Sequence, residues 1–415
     1  MKIAFFVADY PNPSETFIAR QIVGMQALGH QVTIIAGNLK APFEEMRGEG
    51  LTVQLIREQR TGLGVLALRL SCGLRSLIRW RRLRGVIQGL KMGSLMPAAD
   101  LFSCPRHLGS FDAIVAHFGP MGVRADILRR ADLLKGPLTV VFHGKDMSDH
   151  WTLERYLPSY RQLFQSAERL LPISRLWRDQ LISWGAPPTK IQILRMGVDF
   201  DALHPLPDDR PLSRPVRVLS VARFVEKKGL QYAIEGVKKA RSAIEYHIIG
   251  FGPLEETLAK KAQSQGNTVK FLGRKSHSEV FAELRAADIF LLPSVVAADG
   301  DMEGIPVALM EAMAMGVLVI ATHHSGIPEL IEDNSEGLLV PERNAAPIAR
   351  ALERLASGSV DIAAMRKAAR AKVRLEFNNA NLDHELEAIL TQLQPSVSQR
   401  GAVKSAPPAV QSLST

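Results

Sequence analysis

Cysteine is nearly absent. Cys72 and Cys104 are the only two in 415 residues. Their spacing matches no zinc or redox pattern, and one pair excludes a disulfide scaffold. A reducing cytoplasm is the expected setting. Long apolar runs are missing as well. Ile3 to Ala8 is too short for a signal-peptide core. Ala312 to Pro328 carries no charged residue but contains Gly316, Gly326, His323 and His324. It falls short of the roughly 20 apolar residues a spanning helix needs. No transmembrane segment is expected.

What is present is ordinary for a globular protein. Hydrophobic residues make up 46% and charged residues 22%, which excludes a disordered chain, a collagen-like fibre and a coiled-coil rod. The length suits two domains with full cores. Net charge is +9, and its location is uneven. Residues 1–205 hold 26 Lys/Arg against 17 Asp/Glu, while residues 206–415 hold 25 of each. The excess is concentrated in residues 51–100, with nine basic and two acidic groups. A local basic region points to an anionic surface or substrate there.

The opening KIAFFVA reads as a buried parallel strand running into a loop at Asp9, Pro11 and Pro13. FIARQIVGMQALGH follows as a helix with a Ser or Thr N-cap, then QVTIIAG as a second strand. DAIVAHFG (112–119) and LTVVFHG (138–144) continue the series. Ligands of open α/β sheets sit beyond the carboxyl ends of strands, so Asp9, His117 and His143 are expected near one crevice. DALHPLPDDRPLSRP (201–215) reads as a linker. Beyond it the pattern restarts with VRVLSVA (216–222), EYHIIGFGP (245–253), VKFLGR, DIFLLPS, VLVIAT and EGLLVP, a second doubly wound unit. Residues 360–393 are helical in pattern, and the Pro/Ser/Ala-rich tail is expected to be disordered.

The densest chemistry lies in DGDMEGIPVALMEAMAMG (299–316). Glu303 is expected on a loop, with a helix beginning near Pro306, a favoured first position. Glu311 then sits inside that helix. Free amides at Gly304, Ile305 and Val307 would receive a phosphate or sugar hydroxyls at the helix N-terminus. A solvated face is the plainer reading of two glutamates, but the apolar flank AMAMG makes an unpartnered Glu311 costly. In VARFVEKKG (221–229), Arg223 and Lys228 follow a strand and suit a diphosphate, Arg as a fork and Lys as a point charge. Ordinary surface charge is the alternative. The Gly250–Gly252 turn in IIGFGP allows close backbone approach, although a plain tight turn explains it equally well. HGKD (143–146) and AHFG (116–119) each end a strand in histidine, where a packed or capping residue competes with a catalyst.

As an ordered set, these motifs resemble the GT-B glycosyltransferases called family 4. The resemblance covers about residues 1–390. It rests on E-x7-E (Glu303, Glu311), Arg223 with Lys228-Gly229, the Gly-x-Gly-Pro turn and HHSGIPELI (323–331). YPNPSETFI (10–18), AHFG, FHGKD and PSVVAADGDMEGIPVALMEAMA resemble its colanic-acid and amylovoran subgroup. The implied fold is α/β, two Rossmann-like doubly wound domains facing a central cleft. Residues 1–205 would bind acceptor and residues 206–393 the nucleotide sugar, with the last helix crossing back and 394–415 a disordered tail. The resemblance implies Glu303 and His143 as catalytic. Arg223, Lys228, Glu311, Gly250, Gly252, Gly304, Ile305, Pro306 and Val307 would bind the donor. Phe271, Leu272 and Gly273 would border the nucleotide. Ser14, Glu15, His117 and Asp146 would lie on the acceptor side. Pro11 to Thr16 replaces a glycine-rich loop common in the family; Ser14 and Thr16 are expected to cap a helix facing the diphosphate while Glu15 faces the acceptor.

The implied reaction is hexose transfer with retained configuration, without a metal or other cofactor. Arg, Lys and a helix N-terminus do the charge work a divalent ion does elsewhere. The donor would be a UDP-sugar before a GDP-sugar, and the acceptor a polyprenyl-diphosphate-linked glycan in exopolysaccharide synthesis. LRSLIRWRRLRGVI (74–87) is a candidate membrane-surface helix, which would make the protein cytoplasmic and peripheral on the plasma membrane. A solvated helix packed on its own domain is the competing reading. Nucleic acid is not an expected partner, because stacking aromatics are scarce there. A nucleotide-sugar epimerase on the same fold and a silent scaffold of a polysaccharide assembly are the rival functions.

Overall fold

A computed structural model describes residues 1–12, 15–40, 51–56, 104, 107–263 and 267–394. Ser14, the arginine-rich stretch 74–87, Cys72 and the tail from 395 lie outside the described residues.

Two six-stranded sheets organise the chain. The first uses β1 (Lys2–Tyr10), β2 (Gln31–Leu39), β3 (Thr52–Leu55), β4 (Ala113–His117), β5 (Leu138–Phe142) and β6 (Arg169–Pro172). Their spatial order is β3-β2-β1-β4-β5-β6. The second uses β7 (Val216–Val221), β8 (Ile244–Ile249), β9 (Thr268–Gly273), β10 (Ile289–Leu292), β11 (Leu318–Thr322) and β12 (Leu338–Val340). Its order, β9-β8-β7-β10-β11-β12, repeats the first. All these pairings are parallel. Strand order reverses between β1 and β4 and again between β7 and β10, and such switch points open a crevice at the strands' carboxyl ends.

The sequence makes these strands because helices cover both sheet faces, so a strand must be apolar on both sides. Ile3, Ala4, Phe5 and Phe6 are wholly buried. In the second sheet the alternation is explicit. Leu219, Phe290, Leu292, Val319 and Ala321 pack on one face, and Val218, Ile289, Leu291, Leu318 and Ile320 on the other.

The linker is pinned rather than loose. Arg366 is almost wholly buried and donates to the carbonyls of Asp208 and Arg210 at 3.0 and 2.6 Å. The 360–393 region is two helices, Ile362–Glu376 and Asn379–Gln392. Phe377 and Asn378 interrupt them where the chain bridges to Val198: the Phe377 carbonyl accepts the Val198 amide and the Asn379 amide donates to the Val198 carbonyl, both at 2.9 Å. Leu386, Ile389 and Leu390 of the last helix join the first unit's core. Among the described residues no helix is long and apolar enough to cross a membrane.

Candidate active site between the two units

The loop between β10 and the helix Val307–Ala314 reaches across to the first unit. Met302 donates its amide to Ser148 Oγ at 3.0 Å, and Asp299 accepts the amide of His150 at 2.9 Å. Gly304 is a close-approach position. A Cβ there would lie 2.5 Å from the His143 carbonyl and 2.4 Å from Ile173. Gly144 faces it, so two glycines let the two backbones touch. Glu303 is thereby buried between the halves, with 7% of its surface exposed.

Charge explains why a carboxylate tolerates that position. Lys228 Nζ stands 2.8 Å from Glu303 Oε1, and Lys227 pairs with Asp301 at 3.0 Å. Burial pushes the Glu303 carboxyl up, but the Lys228 and Lys227 ammoniums outweigh it and hold the group below its ordinary value. Glu303 is therefore ionised. Both lysines come from the short turn Glu226–Lys228 that follows β7. Arg223 is exposed just before it.

The helix after Glu303 begins one residue later than expected. Pro306 is the extended N-cap residue and Val307 the first helical one. Pro306 therefore fixes the entry instead of opening the helix. Four residues on, Glu311 lines a cavity of about 530 Å³ between the units. Thr16, Phe17 and Arg20 form one wall and His277, Phe281 and Arg285 another. Burial pushes the Glu311 carboxyl up to about 7.

The turn at Gly250 and Gly252 packs on the protein itself. A Cβ on Gly250 would lie 1.8 Å from the Ala222 carbonyl, and one on Gly252 2.6 Å from that of Phe224. Both have positive φ, 143° and 159°. These glycines bring the turn against the chain on either side of Arg223. Phe251, at the tip, lies under the Arg274 guanidinium, 3.3 Å from its ring centre.

The opposing wall is neutral and aromatic. His143 follows β5 and stacks among Phe17, Phe118 and His117. His117 lies beneath it, with no exposed surface, so it reaches the crevice only through His143. His117 Nδ1 is 3.1 Å from His143 Nε2, and His117 Nε2 has no partner among the described residues. A buried N–H without an acceptor is the costlier orphan. The proton therefore sits on His117 Nδ1 and is donated to His143, which leaves the His143 proton on Nδ1. Burial lowers His117 to about 3; burial and then His117 lower His143 well below the usual histidine value.

Asp146 points into the backbone. Its Oδ1 accepts the amides of His143 and Gly144, both at 3.0 Å, and its Oδ2 the Gly119 amide at 2.8 Å. It shapes the turn that carries His143 and the start of the helix Gly119–Arg130. Glu15, not Ser or Thr, is the N-cap residue of the helix Thr16–Ala27, without a side-chain cap bond. Thr16 is already helical, so it cannot cap. Burial and then Asp9 raise the Glu15 carboxyl, against Asn12 and Lys40. Asp9 is engaged at the strand end with Lys40 at 2.7 Å and Asn38 at 2.8 Å.

Three groups were not singled out by sequence. Glu329 crosses the boundary to accept the Arg175 amide at 2.7 Å and meets Arg195 at 3.3 Å. His324 and Glu342 lie behind Glu303. HHSGIPELI marked two of the three; nothing near Glu342 did. Among the described residues no group of three His, Cys, Asp or Glu side chains would hold a metal ion.

Two like-ordered Rossmann-type units, closed on each other through Glu303 and His143, define a GT-B architecture. A solved structure of Anabaena HepE in complex with UDP and glucose shares the fold with a TM-score of 0.71, 17% identity and coverage of 95% of this chain and 100% of that one. Residues 208–372 match the model "Glycosyl transferases group 1" and residues 14–197 the "Glycosyl transferase 4-like domain". The amylovoran biosynthesis glycosyltransferase AmsK of Erwinia amylovora is 41% identical over 414 residues, 95% of this chain and 100% of that protein. WcaL of Escherichia coli K12, provisionally assigned as a colanic acid biosynthesis glycosyltransferase, is 40% identical over 411 residues, 95% and 100% of the two chains. The chain belongs to the family 4 type of GT-B glycosyltransferases, in the group of the amylovoran and colanic acid enzymes.

Proposed function

We propose that this glycosyltransferase acts in exopolysaccharide biosynthesis, moving a hexose from a nucleotide-diphosphate sugar to a polyprenyl-diphosphate-linked oligosaccharide with retention of configuration. A UDP-sugar is the first choice of donor and a GDP-sugar the second. The observation that carries the reading is the buried Lys228–Glu303 pair, set beside the amides of Gly304, Ile305 and Val307 and facing His143.

Each group then has a task. The sugar–phosphate bond breaks and its electron pair leaves with the diphosphate. Lys228, Arg223 and the helix N-terminus stabilise that charge, which is how fixed dipoles and cations lower such a barrier. The acceptor hydroxyl bonds to the anomeric carbon from the same face and passes its proton to the departing phosphate oxygen. Glu303, ionised and fixed by Lys228, accepts hydrogen bonds from the donor sugar. Neutral His143 presents Nδ1–H to a sugar or acceptor oxygen. Glu311 accepts from the ribose hydroxyls. No metal or cofactor takes part in this scheme. The basic stretch 74–87 would meet the anionic lipid surface that carries the acceptor.

Thermal stabilisation by UDP, GDP and ADP, each with chelator, tests the donor half. A ligand that binds only the folded state raises its stability by mass action. One nucleotide is expected to shift the melting temperature, and Glu311→Ala to abolish the shift. No shift with any nucleotide, alone or with lipid vesicles, would overturn the reading. Anomeric analysis of the product tests retention. Sedimentation with anionic vesicles tests the membrane contact; unchanged binding after Arg79, Arg81 and Arg82 become Glu would refute it.

A further inference from the structure

Glu303 is held twice: its carboxylate by Lys228, and its peptide by a group that the scheme above does not use. The Glu303 amide donates to His324 Nε2 at 3.0 Å. The Glu303 carbonyl accepts from Ser325 Oγ at 2.6 Å. His324 Nδ1 lies 2.7 Å from Glu342 Oε1, and Glu342 Oε2 accepts the Val296 amide at 3.0 Å. His324 has no exposed surface.

This geometry assigns the proton. A backbone N–H only donates, so His324 Nε2 must be the bare acceptor. Nδ1 then carries the hydrogen and gives it to the Glu342 carboxylate, which locks the ring's tautomer and its rotation. The chain supplies these groups from three neighbouring strand ends. Val296 follows β10, His324 and Ser325 follow β11, and Glu342 follows β12. Thr322 Oγ1 adds a bond to the Ser294 carbonyl at 2.5 Å. The loop bearing Glu303 is thus tied to its own sheet at both the amide and the carbonyl of that one residue.

We propose that His324, oriented by Glu342, is a positioning residue: it fixes the peptide of Glu303 so that its carboxylate and the following amides meet the donor sugar in register. The inference rests on the transferase reading for its catalytic consequence but not for the clamp itself. A misplacement of about 1 Å at a reacting centre can cost on the order of 10²-fold in rate.

The test separates the clamp from the packing. His324→Phe fills the space without an acceptor, whereas His324→Gln offers its amide oxygen near the position of Nε2. Hydrogen exchange resolved at the Glu303 amide is read beside steady-state transfer on the full chain. In His324→Phe, the Glu303 amide is expected to exchange at least about tenfold faster. Turnover should fall on the order of 10- to 100-fold, with the donor KM changed less than about threefold. His324→Gln is expected to recover most of both losses. Equal behaviour of the two variants, or unchanged protection of the Glu303 amide in His324→Phe, would overturn the proposal. If His324→Phe fails to fold, Glu342→Ala serves instead: faster exchange at Glu303 supports the clamp and unchanged exchange refutes it. A wild-type chain that transfers no sugar, yet shows these exchange effects, would sink the transferase reading and leave the clamp standing.

Discussion

The two units share one strand order but build opposite kinds of wall. In the first, the strand ends carry His117 and His143 in an aromatic stack, both neutral. In the second, the segments after the strands carry three closed pairs, Lys227–Asp301, Lys228–Glu303 and His324–Glu342. The same topology therefore supplies a place and not a chemistry. In the proposed reading, Lys228, Arg223 and the helix N-terminus take the charge of the leaving group, and the neutral wall takes the attacking hydroxyl. Burial of a polar group is tolerated best with a partner: the charged wall meets this with ion pairs, and the neutral wall leaves His117 Nε2 without one among the described residues.

The largest break in this contrast is on the charged side. Glu303→Ala is expected to lose on the order of 10²-fold or more in turnover, with nucleotide binding retained in thermal shift. Loss of nucleotide binding alone, at full turnover when saturated, would move Glu303 out of the reacting centre.

Glu311 sharpens the comparison through pH. Its folded value of about 7 exceeds the ordinary 4.5 because burial favours the neutral form. Between those values the folded chain holds a proton that the unfolded chain has released, so this group's contribution to stability falls as pH rises from about 4.5 to about 7. Glu311→Gln keeps the neutral shape. It is expected to be more stable than the parent above pH 7, by up to about 3 kcal/mol, and equal to it near pH 4. Denaturant titrations at the two pH values measure this.

On the neutral wall, His117→Phe keeps the stack but removes the donor that sets the His143 tautomer. We expect a loss of about tenfold in turnover, the rate equivalent of roughly 1.4 kcal/mol, with little change in melting temperature. An unchanged rate would reduce His117 to packing. The smallest expected effect is at the cleft's rim. Glu15→Ala should alter acceptor kinetics by a few-fold and leave nucleotide binding alone; unchanged acceptor kinetics would remove Glu15 from the site.

Much of the fold was legible from local pattern. Ile3–Val7, Ala113–Ala116 and Leu318–Ala321 are unbroken apolar runs because parallel strands are covered on both faces. The second unit announces itself by repeating that pattern after a proline-rich link. Lys228 and His143 were legible as candidates from their places after strand ends, and Glu303 from its loop before a helix that carries Glu311. Their partners were not. Lys228 and Glu303 are 75 positions apart in the chain, and Glu329 is 154 from the Arg175 amide it accepts. His117 carried the same strand-end signal as His143, yet it is hidden beneath that ring; Asp146, which the resemblance alone implied, turns into the backbone.

The sequence by itself determined the two doubly wound units, the link between them and which strand ends bear charge. These follow from periodicity and composition within a dozen residues, and short-range sterics and burial enforce them. Tertiary structure alone decided the Lys228–Glu303 pair, the His324–Glu342 clamp and the return of the helix Asn379–Gln392 to the first core. Each depends on which strand ends and helix faces come together, and many side chains could satisfy the local pattern equally well before the two halves close.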